Sequence, residues 1–483
     1  MPVSTPNDQY SSAIYKWQLV RDCCKGSDAV KNAQNRTQHA ETRIDTATGT
    51  LYLPPPNPTD ESAENRARYR SYKTRANFVN FTGHTKDAFA GMVCRKDPII
   101  QVPVSLEPMI YNADGMGNSL YTVIKRSLDE VLQVAREGLL IDYPYVNEKK
   151  NARQTNGITP TIKPYCAESI INWKTKTIDG QEVLYLVVLR ESIAIAEDDF
   201  TDTAEEQYRV LILNDDGDYA QRMYNKDGQL LVINDDGDLE IVPKQVSGKP
   251  FKFIPFIFLG ALNNDPDIDK PPLYDVAEVN IAHYRNSADY EESCFMVGQP
   301  TPVLSGLTQN WVDDVLGGAV MLGSRAFITL PVGGSAMLLQ ANANQMPLEG
   351  MRLKEKQLIQ IGAKIITEAG GVETAEAARI RFSGQNSKLA TIVDNIEQAY
   401  KMMLEWSLLF IGGTESDIEI KLNKEFYEKG ADPQMITAQL MMLDRQIIST
   451  SDIRDYLRRS GNIDSDRSDE DIDDDLGEVN PLL

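Results

Sequence analysis

The chain has 483 residues, of which 42% are hydrophobic and 25% are charged, a composition typical of folded globular proteins. Its length favours roughly three domains at about 150 residues each. The net charge of −22 argues against a protein that grips nucleic acid tightly, because such proteins usually present a basic patch. It does not exclude a protein through which DNA moves without sticking.

Two further classes of protein are disfavoured by the sequence. The longest apolar run, Phe251 to Leu262, is interrupted by Lys252 and Pro255 and is shorter than the ~20 residues that a bilayer crossing requires. The five cysteines and three histidines are scattered and have no CxxC or zinc-type spacing. We therefore expect no membrane span, no metal site and reduced thiols.

The first 60 residues are polar and end in the proline-rich stretch Leu51–Asp60, which predicts an extended arm. The next segment favours a helix that carries five cations, namely Arg66, Arg68, Arg70, Lys73 and Arg75. These cations could contact nucleic acid or a neighbouring subunit. The alternative, a solvated helix face, stays open.

An amphipathic helix is predicted over Asn118–Gly138, with Gly138 as its C-terminal stop. From Tyr165 to Ile257 the hydrophobic period changes towards two, which indicates strands. The sequence NDDGD occurs at Asn214–Asp218 and again at Asn234–Asp238. Asp-Gly pairs favour hairpin turns, and the calcium-loop pattern is absent.

Pro272–Pro300 predicts a helix whose apolar residues are sparse. Its carboxylates include Asp275, Glu278, Asp289, Glu291 and Glu292. Such a helix suits packing against copies of itself around a ring, or simple exposure. Short strands, two long helices and two short helices follow, and the acidic segment after Ser460 is predicted to be mobile.

Known catalytic motifs are missing. The sequence has no P-loop, HExxH, GxSxG or strand-linked GxGxxG pattern. We therefore assign no catalytic residue and no cofactor and expect a protein that is not an enzyme. A soluble hydrolase with an unrecognised site remains an alternative.

Four segments, in the same order and spacing, resemble the portal proteins of tailed bacteriophages, in particular those of short-tailed phages. They are Tyr72–Pro98, Leu273–Gly306, Gly371–Leu404 and Ile447–Ile463. The third contains an E-T-A-x-x-A-R-like sequence that precedes a long helix. The resemblance covers roughly residues 70–465 and leaves the N-terminal arm and the acidic tail outside.

The resemblance implies an α+β portal-type fold, assembled as a homo-oligomeric ring of usually twelve subunits at one capsid vertex. Double-stranded DNA would be packaged and ejected through it. Its implied partners are the terminase large subunit, the head-tail adaptor and tail proteins, and the major capsid and scaffold proteins, with no membrane. Its place is the virion, and the host cytoplasm during assembly. Another head-tail adaptor or a minor capsid protein is the main alternative.

Family order also implies a map of the chain. The parts are an N-terminal arm (1–60), a first wing part (61–164), a β-rich clip-side region (165–257), a stem helix (258–300), wing strands with a channel-side loop and long helices (301–412), crown helices (413–463) and an acidic flexible tail (464–483). The five carboxylates of the stem helix are candidate channel residues, because like charge facing phosphate lowers friction. Arg379 and Arg381 are candidate channel brakes or, alternatively, intersubunit ion pairs.

Overall fold

A computed structural model describes most of the chain. The described residues are 2–33, 50–143, 159–178, 180–196, 200, 202–233, 237–299, 301–315, 329–340, 344–361, 375–413, 418–426, 433–459, 462–463 and 467–478. The side chains of residues 196, 375–387, 433–435, 459 and 477–478 are outside this description.

The fold is α+β, as predicted, with helices and small antiparallel sheets. The helices are α1 (Asp8–Lys25), α2 (Ser27–Lys31), α3 (Ala63–Arg75), α4 (Phe81–Val93), α5 (Glu107–Tyr111), α6 (Leu120–Val134), α7 (Tyr274–Gly298), α8 (Gln309–Asp314), α9 (Met346–Ile361), α10 (Ala375–Ile411), α11 (Pro433–Asp444), α12 (Thr450–Arg459) and α13 (Asp469–Glu478). The strands are β1 (Ile99–Gln101), β2 (Arg136–Asp142), β3 (Thr161–Cys166), β4 (Ile170–Ile178), β5 (Gln181–Ala196), β6 (Asp202–Leu213), β7 (Tyr219–Asn225), β8 (Phe256–Gly260), β9 (Thr301–Ser305), β10 (Ser335–Leu339) and β11 (Glu419–Lys421).

Serine caps fix the start of two helices that matter below. The hydroxyl of Ser62 accepts from the amide of Asn65 at 3.1 Å at the start of α3, and Ser119 accepts from Thr122 at 3.2 Å at the start of α6. Each bond satisfies one of the amides that a first helical turn leaves unpaired. The end of α6 is set by Ala135, which has a left-handed φ of 57°.

Strands β2 to β8 form two antiparallel sheets, and β2 lies before the predicted β-rich region of residues 165–257. One has three strands in the order β3-β2-β8, and the other has four in the order β4-β5-β6-β7. The first NDDGD sequence forms the hairpin turn between β6 and β7, where the side chain of Asn214 accepts from the amides of Asp216 and Asp218 and Gly217 has a φ of +73°. That prediction is confirmed. The second NDDGD lies largely outside the described residues.

Strands β9 and β10 form a separate two-stranded ribbon. Its register runs from Thr301 opposite Leu339 to Ser305 opposite Ser335. An isolated two-stranded ribbon is marginally stable in water. The ribbon therefore needs a surface to lie on.

The chain divides into two compact units. The first comprises Met1–Ala90 and Ile100–Ile420, and the second comprises Gly91–Ile99 and Lys421–Leu483. The core of the first unit contains a cluster built from α1, α3 and the first half of α7. In the second unit, Arg454 of α12 pairs with Asp473 of α13 at 2.5 Å. The structure therefore has a helix within the segment that the sequence predicts to be a mobile tail.

Candidate functional site: the α3–α7 pair and the ribbon

Helix α7 carries the five carboxylates singled out by the sequence, and its two halves have different environments. The first half, from Tyr274 to Ala288, is lined by buried residues that pack with α1, α3 and α9. Even its polar residues are used, since the Asn280 side chain accepts from the amide and the hydroxyl of Thr82 at 3.1 and 3.0 Å. The expectation that this helix packs against copies of itself or is simply exposed is therefore wrong for its first half. Tertiary partners from distant segments supply the cover.

The second half of α7 is joined to α3 by polar contacts. The hydroxyl of Tyr72 donates to Asp289 at 2.6 Å, and Arg75 pairs with Glu292. The Arg75 guanidinium also lies over the ring of Phe295, 4.1 Å from its centroid. We call this set the α3–α7 clasp. It neutralises part of the negative charge of α7 within the same chain.

Burial is the first cause of the raised pKa of Tyr72, and the hydrogen bond to the carboxylate of Asp289 raises it further. The phenol therefore stays protonated and acts as a permanent donor in the clasp. The more distant contact of Arg68 with Glu292, at 3.9 Å, adds little because Arg68 is mostly exposed.

The other sequence-selected carboxylates have different surroundings. Asp275 pairs with Lys270 at 2.7 Å, with both side chains more than half exposed. Glu278 is exposed and accepts from the hydroxyl of Tyr274 at 2.7 Å. Glu291 is half-buried. The structure thus leaves Asp275 and Glu278 at the surface of α7, while Asp289 and Glu292 are engaged by α3.

The five cations of α3 separate into two faces. Arg68 and Arg75 point towards α7 through the contacts above. Arg66 and Arg70 are exposed and Lys73 is half-buried, and none of the three cationic groups has an ion pair or hydrogen bond to a described residue. The remaining candidates, Arg379 and Arg381, lie in the first turns of α10, where the structure describes the backbone but not the side chains.

Helices α7 and α9 pack as an antiparallel hairpin. Val276 packs with Leu358, and Nε2 of His283 lies 3.3 Å from Glu355. Near the other end of the contact, a Cβ on Gly350 would overlap the amide of Asn286. Residue numbers therefore rise along α7 as they fall along α9. Between the two helices in the sequence comes the β9–β10 ribbon, which Gln340 ties to the carbonyl of Val297 at 3.3 Å.

This helical hairpin and its ribbon present apolar side chains to solvent. On the helices, the exposed fractions are 40% for Phe295, 51% for Met296 and 56% for Leu353. On the ribbon, Met337, Leu338 and Leu339 are each more than 60% exposed. Successive residues of a strand point to opposite faces, so the ribbon is uncovered on both sides. We call these six residues the apolar stem surface.

Sequence reasoning missed a partly buried polar network that joins Arg21 to two carboxylates from distant segments. Arg21 of α1 donates to Glu130 at 2.9 Å and to Glu168 at 2.5 Å. Nearby, Glu137 of β2 is buried, and its Oε2 has no hydrogen-bond partner among the described residues. Burial raises the pKa of Glu137 to about 8, with the Glu130 carboxylate raising it and the Ser127 hydroxyl and Arg21 lowering it.

The four-stranded sheet borders a cavity of about 740 Å³. Its most prominent charged group is Arg209, which donates to Glu191 at 2.8 Å and to Asp142 at 3.3 Å. Both carboxylates already compensate that cation, so it is a poor receptor for an anionic ligand. No cluster of three or more potential metal ligands occurs among the described residues. No helix in the described part of the chain has both the length and the apolar character that crossing a membrane requires.

Comparisons with known proteins give remote likenesses. The family model described as "Domain of unknown function (DUF4055)" matches residues 272–411, which run from the start of α7 to the end of α10. No curated protein matches the chain.

Among solved structures, the chain is similar to one from "Virion of native gene transfer agent (GTA) particle", with 11% identity, a TM-score of 0.40, and coverage of 80% of this chain and 92% of that chain. It is also similar to one from "Neck of native GTA particle computed with C12 symmetry", with 12% identity, a TM-score of 0.40, and coverage of 80% and 91%. A likeness at this level carries no argument about function.

Proposed function

We propose that this protein is a structural component of a phage-like virion and, more specifically, a portal: a homo-oligomeric ring through which double-stranded DNA passes. The proposal starts from the four portal-like segments in order along the chain. The observation that carries it further is the apolar stem surface on α7, α9 and the ribbon. Phe295 and Met296 of this surface lie within the most portal-like segment, Leu273–Gly306, and its other residues follow that segment in the sequence.

The apolar stem surface favours an oligomer over a monomer. Several large apolar side chains exposed on neighbouring elements favour an interaction surface. In a head-to-tail ring each subunit presents two different faces to its two neighbours, and the ring closes when the rotation per subunit divides a full turn. In such a ring, neighbouring copies cover the exposed apolar residues of α7 and α9, while the ribbon stays available to other partners.

The carboxylates of α7 fit a channel of low friction. Asp275 and Glu278 remain at its surface and are the first candidates to face DNA. Asp289 and Glu292 are poorer candidates because the α3–α7 clasp already engages them. Arg379 and Arg381, at the start of α10, remain the proposed channel cations, where they would add salt-dependent grip on phosphate.

The geometry also favours a different segment as the docking site for terminase and tail proteins from the one that family order implies. The sequence map assigned the clip side to residues 165–257. The β9–β10 ribbon, in contrast, lies between the antiparallel helices α7 and α9 in the sequence and presents apolar residues on both faces. We therefore propose the ribbon as the surface on which terminase and then the adaptor or tail proteins dock.

Light scattering on the purified protein tests the proposal. Each chain has a mass of 54.0 kDa, so a dodecamer is expected at about 650 kDa. Replacing Met296 and Leu353 by aspartate places two charges on the apolar stem surface and should reduce the mass to that of small species. Val104→Asp, at an 85% exposed site outside this surface, is the matched control and should leave the assembly intact. A wild-type protein that stays monomeric over varied salt and concentration would contradict the proposal.

A further inference from the structure

The long hairpin of the four-stranded sheet extends beyond its neighbours. Strand β4 pairs with β5 only as far as Leu189, and β7 pairs with β6 only from Gln207 onward. The β5–β6 ladder nevertheless continues from Glu191 opposite Gln207 to Ala196 opposite Asp202. At about 3.3 Å per residue, this extension is roughly 20 Å long. We call residues 191–196 and 202–206 the hairpin arm.

The hairpin arm has the surface of an interface element. Ile193 and Ile195 share one face of β5 and are 38% and 41% exposed. On β6, Asp202, Glu205 and Glu206 are all exposed. The sequence from 191 to 206 contains seven acidic residues and no basic one. A two-stranded ribbon is marginally stable alone, so an arm of this length favours contact with a partner. The negative charge of the arm favours a partner with a basic surface.

Helix α3 provides a surface of the opposite charge. Arg66, Arg70 and Lys73 are spaced by four and three residues, which places them on one side of the helix. The clasp uses the other side, through Tyr72 and Arg75. The basic side is therefore held in place by the contacts of α3 with α7, while its own charges remain uncompensated among the described residues.

We propose that the hairpin arm of one subunit lies against Arg66, Arg70 and Lys73 of the next subunit. This inference rests on the ring proposed above, and it names the charged contact that determines the order of subunits around it. Copies of a chain with a net charge of −22 repel one another, so a closed ring needs local pairing of opposite charge. The arm and the basic side of α3 are two different surfaces, as a head-to-tail ring requires.

A second copy is favoured over DNA as the partner of these cations. Three cations on one helix face are fewer than the roughly 6–10 phosphate contacts of a strong DNA-binding surface. The acidic arm, in contrast, is present on every copy at equal concentration. DNA binding by this face is the competing outcome, which the experiment below separates.

Two charge-reversal variants test the contact. The first combines Arg66→Glu, Arg70→Glu and Lys73→Glu, and the second combines Asp202→Lys, Glu205→Lys and Glu206→Lys. Each variant alone should fail to form rings, with about a twelvefold lower mass by light scattering than a dodecamer. Co-expressed, the two variants should form rings again, because each reversed arm meets a reversed helix when the subunits alternate. Recovery also demonstrates that both variants are folded.

The outcomes separate this contact from the ring itself. If the wild-type chain forms rings and either variant alone forms them with unchanged salt dependence, the contact is overturned and the ring stands. Loss of double-stranded DNA retention by the first variant, with its rings intact, likewise overturns the contact in favour of nucleic-acid binding. Failure of co-expression to restore rings also contradicts it. If the wild-type chain forms no rings, the proposed portal function is contradicted instead.

Discussion

Replacing Glu137 by glutamine should stabilise the protein, and the gain should grow with pH. Burial raises the pKa of this carboxyl from 4.5 to about 8. Above pH 4.5 the unfolded chain therefore ionises while the folded chain keeps its proton, and stability falls with each further pH unit until about pH 8. Glutamine has the shape of the protonated acid and does not ionise, so it removes this loss.

The expected size follows from the shift. One pKa unit corresponds to about 1.4 kcal/mol, so the 2.5 units between 4.5 and pH 7 give roughly 3 kcal/mol. The full shift gives about 5 kcal/mol above pH 8, as an upper bound. For a chain of this size these energies correspond to a rise of several degrees in Tm.

Thermal melting of wild type and Glu137→Gln at each pH from 5 to 9 measures the effect. The difference in Tm should be small at pH 5, increase up to about pH 8 and then stay constant. Glu61→Gln, at an exposed glutamate, is the control and should show no trend. A Tm difference that does not change with pH, or a variant that melts below wild type at pH 8, would mean that Glu137 is ionised and paired in the folded protein.

Three further changes test the packing and charges of the first unit. Gly138→Ala should lower the free energy of unfolding by about 1–3 kcal/mol, because the new Cβ would lie 2.8 Å from Cε2 of Phe256. The control is Gly91→Ala, whose new Cβ meets nothing within 4 Å and which should leave the melting temperature unchanged or slightly higher. A double-mutant cycle between Arg75→Ala and Glu292→Ala should give a coupling energy of about 1 kcal/mol, measured by denaturant unfolding. A coupling energy near zero would mean that the contact between Arg75 and Glu292 does not stabilise the protein. Burial lowers the pKa of His283 below 6.5, and the contact with Glu355 opposes this shift. Stability should therefore fall as pH drops below about 6.5, and His283→Gln should flatten this decrease in thermal melts between pH 6.5 and 5; an equal slope in both proteins would contradict the assignment.

The β-rich block was predictable because its signals are local. Alternating apolar residues and the NDDGD turn act within a few residues of the chain, so the sequence alone locates β5, β6 and β7. The boundary after α6 was not predictable in the same way. Gly138 looks like a helix stop, yet it lies inside β2, where close contact with Phe256 and Ile170 leaves no room for a side chain. The helix ends earlier, at the left-handed Ala135.

The environment of α7 also depends on partners that the sequence does not bring together. Its composition indicates a helix that packs against copies of itself or is simply exposed, but residues from α4 and from the segment between α3 and α4, some 200 positions earlier, contact its first half. The same holds for the Arg21 network, whose carboxylates are separated from it by 109 and 147 residues. Sequence reasoning identified the charged residues of α3 and α7 as a group. It could not assign which cations face α7 and which remain free.

Negative-stain images of the purified wild-type chain test the central claim most directly. If the chain forms a portal ring, end-on class averages should show a closed ring of identical subunits around an open centre, in the fraction with a mass of about 650 kDa. Compact particles without a central opening, or a population of monomers and dimers under every condition, would contradict it.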